Sequence, residues 1–269
     1  MERIRSIDKI PESVSEIKSL RKGFITNFYL DNFKHTIWVQ RGILWKETID
    51  DTVFFIKKNN HFWNVFYNTT NIVSLNKALN VFETKYLKEI IIFDVIGNIA
   101  TCDAIKNTFI NNQYHHICTL IRMSRLTPVG TYYRSYKSIR YANQDDTKEV
   151  AALLKCFFDS KTEQIPYYEE LIEYSKQNRI LVYIDQGKVV GFVVFEMNRS
   201  TLYLRYWFVL PEYRDKKVGS MLLKSFFEEG KDTRRQLFWV IVDNDNAIKR
   251  YKHYGFEAED MYDYVFTNK

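Results

Sequence analysis

The chain has 269 residues, long for one domain and ordinary for two, and its 46% hydrophobic and 27% charged residues exclude a disordered chain. Its 39 Lys and Arg exceed 33 Asp and Glu, giving a formal charge of +6, which suits an anionic ligand. The basic residues are scattered among acids, however, and no Lys/Arg stripe interleaved with aromatics marks a nucleic-acid groove, so no nucleic-acid partner is expected.

Residues 1–20 lack the apolar core of a signal peptide, and the longest apolar stretch, Ile90–Ile96, is short and interrupted by Asp94. The expectation is a soluble cytoplasmic protein with no membrane partner. Val53–Tyr67 has the pattern of a β-hairpin, and Ile90–Val95 that of a buried strand. His115 and His116 are adjacent and would alternate across a strand, poor geometry for a shared metal. Cys102, Cys118 and Cys156 form no Cys-x-x-Cys pair and read as buried free thiols, so no metal is expected.

The clearest shift in composition lies at Arg125–Arg140, where Pro128 and Gly130 punctuate a polar stretch. It divides the chain into domains over 1–130 and 136–269. Beyond it, Asp145–Ser160 is an amphipathic helix with Val150, Leu153, Leu154, Phe157 and Phe158 at helical spacing and an Asp146/Glu149 capping box. A second helix is expected over Pro166–Gln177. Ile180–Ile184, Lys188–Met197 and Leu202–Leu210 then form three antiparallel strands, the first two joined at Asp185-Gln186-Gly187 and the third ended by Pro211. A helix follows with Met221, Leu222, Phe226 and Phe227 inward, stopped by Gly230. Leu237–Val242 is a strand, Asn246–Tyr254 a helix, and a closing segment runs to Phe266.

Two motifs carry chemistry. Arg214-x-x-Lys217-x-Gly219-Ser220 opens a helix directly after a strand, where unpartnered backbone N–H groups and the helix dipole favour an anion, and Gly219 allows close backbone approach. Asn244-x-x-Ala247-x-x-x-Tyr251-x-x-x-Gly255-Phe256 follows the next strand and sets Ala247 and Tyr251 one turn apart on one helix face, with Gly255 suited to a left-handed turn.

Together, Val209-Leu-Pro-Glu-Tyr-Arg214-x-x-x-x-Gly219 and the Asn244 to Phe256 motif resemble the GNAT superfamily of acyl-coenzyme A dependent N-acyltransferases, from the first helix after the linker to the C-terminus. The resemblance implies an α/β (α+β) fold, a mixed, mostly antiparallel twisted sheet flanked by helices. Acetyl-coenzyme A or another acyl-coenzyme A would be co-substrate, without metal. By the same resemblance the strand through Trp207 and Val209 would pair with the pantetheine arm, and the amides of Asp215, Lys216, Lys217, Val218, Gly219 and Ser220 would hold the pyrophosphate. Arg214 would be the opening basic residue, Asn244 would sit beside the pantetheine, and Tyr251 would lie near the thioester sulfur as general acid. The family usually has glycine at the position of Lys217, so a positive φ there would strain the lysine. The base stays open among Glu196, Asp243 and ordered water, a solvated β-face carboxylate being the plainer reading of Glu196.

The expected activity is transfer of an acetyl group to a primary amine of a small molecule, peptide or protein, by direct attack in a ternary complex. The alternative is a coenzyme A sensor or partner-binding module that has lost catalysis. Transfer from an aminoacyl-tRNA would need a broad basic surface that this sequence lacks. The N-terminal half echoes the second at an offset of roughly 130 to 150 residues, pairing Val53–Tyr67 with Leu181–Phe195 and Ile90–Val95 with Leu237–Val242, as an old duplication would. In this smaller GNAT-like α/β domain the phosphate loop falls on Asn71–Lys77, without glycine, and Thr108 or Phe109 replaces Tyr251. It is expected to pack against the catalytic half, close the acceptor site or support a homodimer.

Overall fold

The structure, a computed structural model, describes residues 1–128 and 136–269; the linker glycine Gly130 lies outside the described residues. Two compact units divide the chain, Met1–Leu120 with Asp260–Lys269, and Ile121–Glu259. This differs from the contiguous halves that the Pro128–Gly130 punctuation suggests, because the last strand of the chain belongs to the first unit.

The first unit begins with β1 (Glu2–Arg3), α1 (Lys9–Ser19), β2 (Ile25–Thr26) and α2 (Asn32–Gln40). The meander β3 (Leu44–Ile49), β4 (Thr52–Lys58) and β5 (Trp63–Thr69) follows, then α3 (Ile72–Lys85), β6 (Ile91–Gly97), α4 (Ile99–Asn111) and β7 (His115–Leu126), which leaves the unit after Leu120. In the meander successive residues alternate between two apolar faces. Phe54, Val65 and Tyr67 pack with Leu75, Phe82, Ile105 and Phe109 of α3 and α4. On the other face Phe66 stacks on Trp38 of α2 at 6.1 Å, and Phe55 lies 4.5 Å from Phe28. The strand order runs β1, β3, β4, β5, β6, then the Asp260–Thr267 end of the last strand, whose Tyr264 and Phe266 enter the same core.

The second unit repeats this plan with β8 (Ile139–Tyr141), α5 (Gln144–Phe157), α6 (Tyr168–Lys176), β9 (Ile180–Asp185), β10 (Lys188–Asn198) and β11 (Thr201–Val209). A 3-10 turn (Pro211–Lys216), α7 (Val218–Glu229), β12 (Arg235–Ile241), α8 (Asp245–His253) and β13 (Glu257–Thr267) complete it, β13 leaving after Glu259. The capping box of α5 sits one turn earlier than expected. Asn143 accepts from the Asp146 amide at 2.9 Å and Asp146 from the Asn143 amide at 2.7 Å, while Glu149 accepts from the Val189 amide. The β9–β10 turn places Gln186 and Gly187 both at positive φ, which matches the strand twist. Val193, Phe195, Leu204, Leu222, Phe226 and Phe238 form the core of this unit, with Met123 of β7 among them.

The repeat is therefore real but displaced by one strand from the sequence match. The meander β4–β5 corresponds to β10–β11, because β5 and β11 are the strands that pair in parallel with β6 and β12. Of the three thiols only Cys102 is buried; Cys118 is half-buried and Cys156 exposed. No helix among the described residues is long and apolar enough to cross a membrane.

Candidate functional site

Strands β11 and β12 pair in parallel only at Thr201 with Arg235, Leu202 with Gln236 and Tyr203 with Leu237. Beyond Tyr203 they part, although β11 continues to Val209 and β12 to Ile241. The main-chain edge of β11 from Leu204 onward thus has no ladder partner on the β12 side. On its other edge β11 follows β10, with a register shift that opposes Val194 to Tyr206 and Phe195 to Leu204, leaving Arg205 as the extra residue of a bulge.

At the open end of this gap β11 runs through the 3-10 turn into α7. Lys217 caps the helix at φ 62° and ψ 9°, with no side-chain cap. The first bond of the helix runs from the Met221 amide to the Lys217 carbonyl at 3.0 Å, so the amides of Val218, Gly219 and Ser220 precede it. Of the residues expected to hold the pyrophosphate, Asp215 and Lys216 lie in the 3-10 turn, Lys217 is the helix cap, and Val218, Gly219 and Ser220 form the first turn of α7. Arg214 folds back, its Nε donating to the Val209 carbonyl at 3.4 Å, and Asp215 is exposed.

Gly219 is required by packing. A Cβ there would stand 2.8 Å from Cζ2 of Trp207. The Trp207 indole fills this corner with its Nε1 buried and without a hydrogen-bond partner, while the guanidinium of Arg250 lies 5.6 Å above the ring.

Helix α8 starts where β12 ends. Asn244 is exposed and caps it, its Oδ1 accepting from the Ala247 amide at 3.2 Å. One turn further Tyr251 turns inward, its ring 4.0 Å from Phe238 and 5.8 Å from Trp207. Burial raises its phenol above the ordinary tyrosine range. Gly255 ends the helix region at φ 81°, the left-handed value that its place in the motif implies. His253 is exposed and Asp243 lies exposed in the turn after β12.

Glu196 is not the solvated strand carboxylate that alternation suggests. Only 13% of its side chain is exposed; its Oε1 accepts from the Tyr174 hydroxyl at 2.6 Å and lies 3.4 Å from Arg205 Nε. Arg205 also donates to the Tyr203 hydroxyl at 3.2 Å. Sequence reasoning missed Arg205 and Tyr174, since a bulge leaves no mark in a pattern of period two. Among the described residues no His, Cys, Asp and Glu side chains gather as a metal ion would require.

Residues 147–256 match the Acetyltransferase (GNAT) family. The second unit is a GNAT domain. An uncharacterized N-acetyltransferase of Methanocaldococcus jannaschii is 26% identical over 141 residues, which cover 46% of this chain and 62% of the length of that relative. A GCN5-related N-acetyltransferase from Sphaerobacter thermophilus superimposes with a TM-score of 0.60 at 11% identity, over 80% of this chain and 76% of that one. A GNAT-family acetyltransferase from Colwellia psychrerythraea gives 0.56 at 11% identity over 99% and 98%. A tandem GNAT protein from the clavulanic acid biosynthesis pathway gives 0.54 at 12% identity over 80% and 78%. At these identities the likeness shows the fold, two GNAT-like domains in one chain, and the family match makes the second unit a member of an acyltransferase family.

The first GNAT-like domain has the same parting of strands. Its β5 and β6 pair only at Trp63 with Ile91, Asn64 with Ile92 and Val65 with Phe93. There the gap is bridged from within. Asn27 accepts from the Tyr67 amide at 2.6 Å and donates from Nδ2 to the Asp94 carbonyl at 2.5 Å, tying β5 to β6. Its own amide donates to the Tyr67 carbonyl at 3.2 Å, and β2 extends the pairing onto β5. Helix α3 is capped by Asn71, whose side chain accepts from the Ser74 amide at 3.0 Å, so its N-terminal donors are partly engaged. Asn98 caps α4 as Asn244 caps α8, and one helical turn on from Thr101 this places Ile105, 1% exposed in the core, at the position of Tyr251 in place of Thr108 or Phe109.

Proposed function

We propose that the second unit transfers an acetyl group from acetyl-coenzyme A to a primary amine by direct attack of the amine on the thioester. The observation that carries this reading is the start of α7, without a side-chain cap, at the mouth of the β11–β12 gap, with the Tyr251 ring 5.8 Å from that of Trp207. Three features fit an acyl-coenzyme A: donors of Val218, Gly219 and Ser220 for a pyrophosphate, an unpaired edge of β11 for an amide-bearing arm, and the orphaned Trp207 Nε1 beside it. Lys216, Lys217 and Arg250, all exposed nearby, add positive charge.

The thioester supplies the acyl group; the chain orients both reactants, a contribution of about 7–11 kcal/mol in well-aligned systems. An acceptor ammonium sheds two protons as the C–N bond forms and the C–S bond breaks. One leaves through a base to solvent, and one replaces the proton that Tyr251 Oη gives to the departing sulfur. A tyrosine phenol is protonated at neutral pH, and burial shifts Tyr251 further the same way, so the proton is present to be given. Glu196 Oε1 is held by Tyr174 and Arg205, which makes Oε2 the atom to receive a proton if Glu196 is the base.

The first domain, with its gap bridged by Asn27, serves as a structural partner and binds no coenzyme A. Thiol release from acetyl-coenzyme A on a panel of amines, run beside calorimetric binding, tests the reading. Turnover on at least one amine is expected; tight binding with no turnover on any acceptor favours the sensor and defeats the enzyme.

A further inference from the structure

The face of the second-unit sheet toward α5 and α6 carries a polar cluster in which acyl transfer gives a role to Glu196 alone and none to Arg205. Arg205 is its centre. The bulge aims it away from the regular alternation, two residues past the last β11–β12 pair and two before Trp207. It therefore lies along the same gap as Trp207, where the sheet opens. Its side chain is 20% exposed, and its Nε and Nη1 are occupied by Glu196 at 3.4 Å and the Tyr203 hydroxyl at 3.2 Å. The rings of Tyr203 and Tyr206 flank the guanidinium at 5.1 and 5.8 Å. Tyr206 is itself fixed by donating to the Glu163 and Gln164 carbonyls, both at 2.9 Å.

A guanidinium has five N–H donors, and these contacts use two. The outer edge formed by Nη1 and Nη2 retains a donor on the first and both donors on the second. A planar fork of this kind fits a carboxylate in two parallel hydrogen bonds. Beside it, Glu196 Oε2 presents a negative atom. Opposite charges that touch each other, Arg205 Nε and Glu196 Oε1 being 3.4 Å apart, complement a ligand whose own ammonium and carboxylate are neighbours. A simple amine would leave the guanidinium edge empty. A peptide N-terminus has no carboxylate beside its amine.

We infer that the acceptor is a free α-amino acid, its carboxylate held by Arg205 and its amino group set beside Glu196. The inference rests on the acyl-transfer reading and names the substrate class of that site. Arg205 is then the specificity-determining residue. The amine nitrogen attacks the thioester carbonyl, the C–N bond forms as the C–S bond breaks, and the two protons leave as described for Tyr251 and the base.

The test pairs amino acids with their decarboxylated amines, such as tyrosine with tyramine and leucine with isoamylamine, in the thiol-release assay on the full chain. It adds calorimetric titration of the amino acids into protein saturated with coenzyme A. Losing a charged, partly buried hydrogen-bonded contact is expected to lower kcat/KM roughly 10- to 100-fold for the amine of each pair. Arg205→Gln is expected to erase that difference while leaving coenzyme A affinity unchanged, and Arg205→Lys to restore part of it. Equal turnover of both members of each pair overturns the inference and leaves the acyl-transfer reading standing, as does discrimination that survives in Arg205→Gln. Coenzyme A binding with no turnover of any amine overturns the enzymatic reading, and this inference with it. If Arg205→Gln does not fold, the wild-type comparison and the direct amino-acid titration decide alone.

Discussion

Lys217 is the residue whose replacement should improve the fold. It sits at φ 62° and ψ 9°, is exposed, and closes the 3-10 turn onto α7. A left-handed backbone costs an L-residue about 1–2 kcal/mol through its Cβ. Glycine escapes that cost but loses about 0.5–1 kcal/mol more backbone entropy on folding. Lys217→Gly is therefore expected to stabilise by about 0.5–1 kcal/mol, or roughly 2–4 °C in Tm for a unit of this size. The exposed lysine contributes no packing that would offset the gain. Lys217→Ala keeps the Cβ and should gain nothing. Both variants lose a charge next to the proposed phosphate site, so both should bind coenzyme A more weakly at low salt, with the difference from wild type shrinking as salt rises. Thermal melts of the three proteins without ligand, with matched calorimetric titrations, give the answer. A Gly variant no more stable than the Ala variant would refute the assignment of strain to this residue.

Tyr251→Phe keeps the ring between Phe238 and Trp207, so coenzyme A binding and the melt should hold while kcat falls roughly 10²- to 10⁴-fold; an unchanged kcat makes the phenol structural. Asn27→Ala in the first domain removes its bonds to the Tyr67 amide and the Asp94 carbonyl and should cost about 2–4 kcal/mol by urea unfolding, with coenzyme A affinity unchanged. Tyr67, Tyr114, Tyr174, Tyr206 and Tyr251 all have phenols raised by burial. The folded state holds those protons more tightly than the unfolded chain, so their contribution is complete below pH of about 10 and is lost as pH rises above it. Urea midpoints measured across that range should fall on the alkaline side, and a flat profile would contradict the burial of these hydroxyls.

What could be read from the sequence were the features fixed by local backbone chemistry. The Gln186-Gly187 turn, Gly255 at positive φ and the order of strands in the second unit each need particular residue types at fixed spacing. Even the strain at Lys217 was visible, as a non-glycine where the resemblance implies glycine. The exchange of Asp260–Lys269 into the first unit was not, because alternating Tyr262, Tyr264 and Phe266 satisfy the edge of either sheet equally well. The displaced repeat has the same origin: one hairpin of apolar alternation matches another until parallel pairing identifies the strand.

The remaining misses concern side chains whose meaning depends on what stands across from them. Asn27 is one polar residue in an irregular segment, and only the paired Tyr67 amide and Asp94 carbonyl reveal it as a bridge. Glu196 reads as solvated from its strand position and is in fact enclosed by Tyr174 and Arg205. The packing that also demands glycine at Gly219 was not legible, since the Trp207 ring against it comes from another element.

The central claim is that the start of α7 and the gap beside it hold a coenzyme A. Calorimetric titration of the full chain with coenzyme A and acetyl-coenzyme A tests it most directly, with Gly219→Ala as the comparison, since its added Cβ would press on Trp207. The account predicts one site per chain for both ligands and a marked loss of affinity in the variant. Absence of binding, or two equivalent sites per chain, would contradict it.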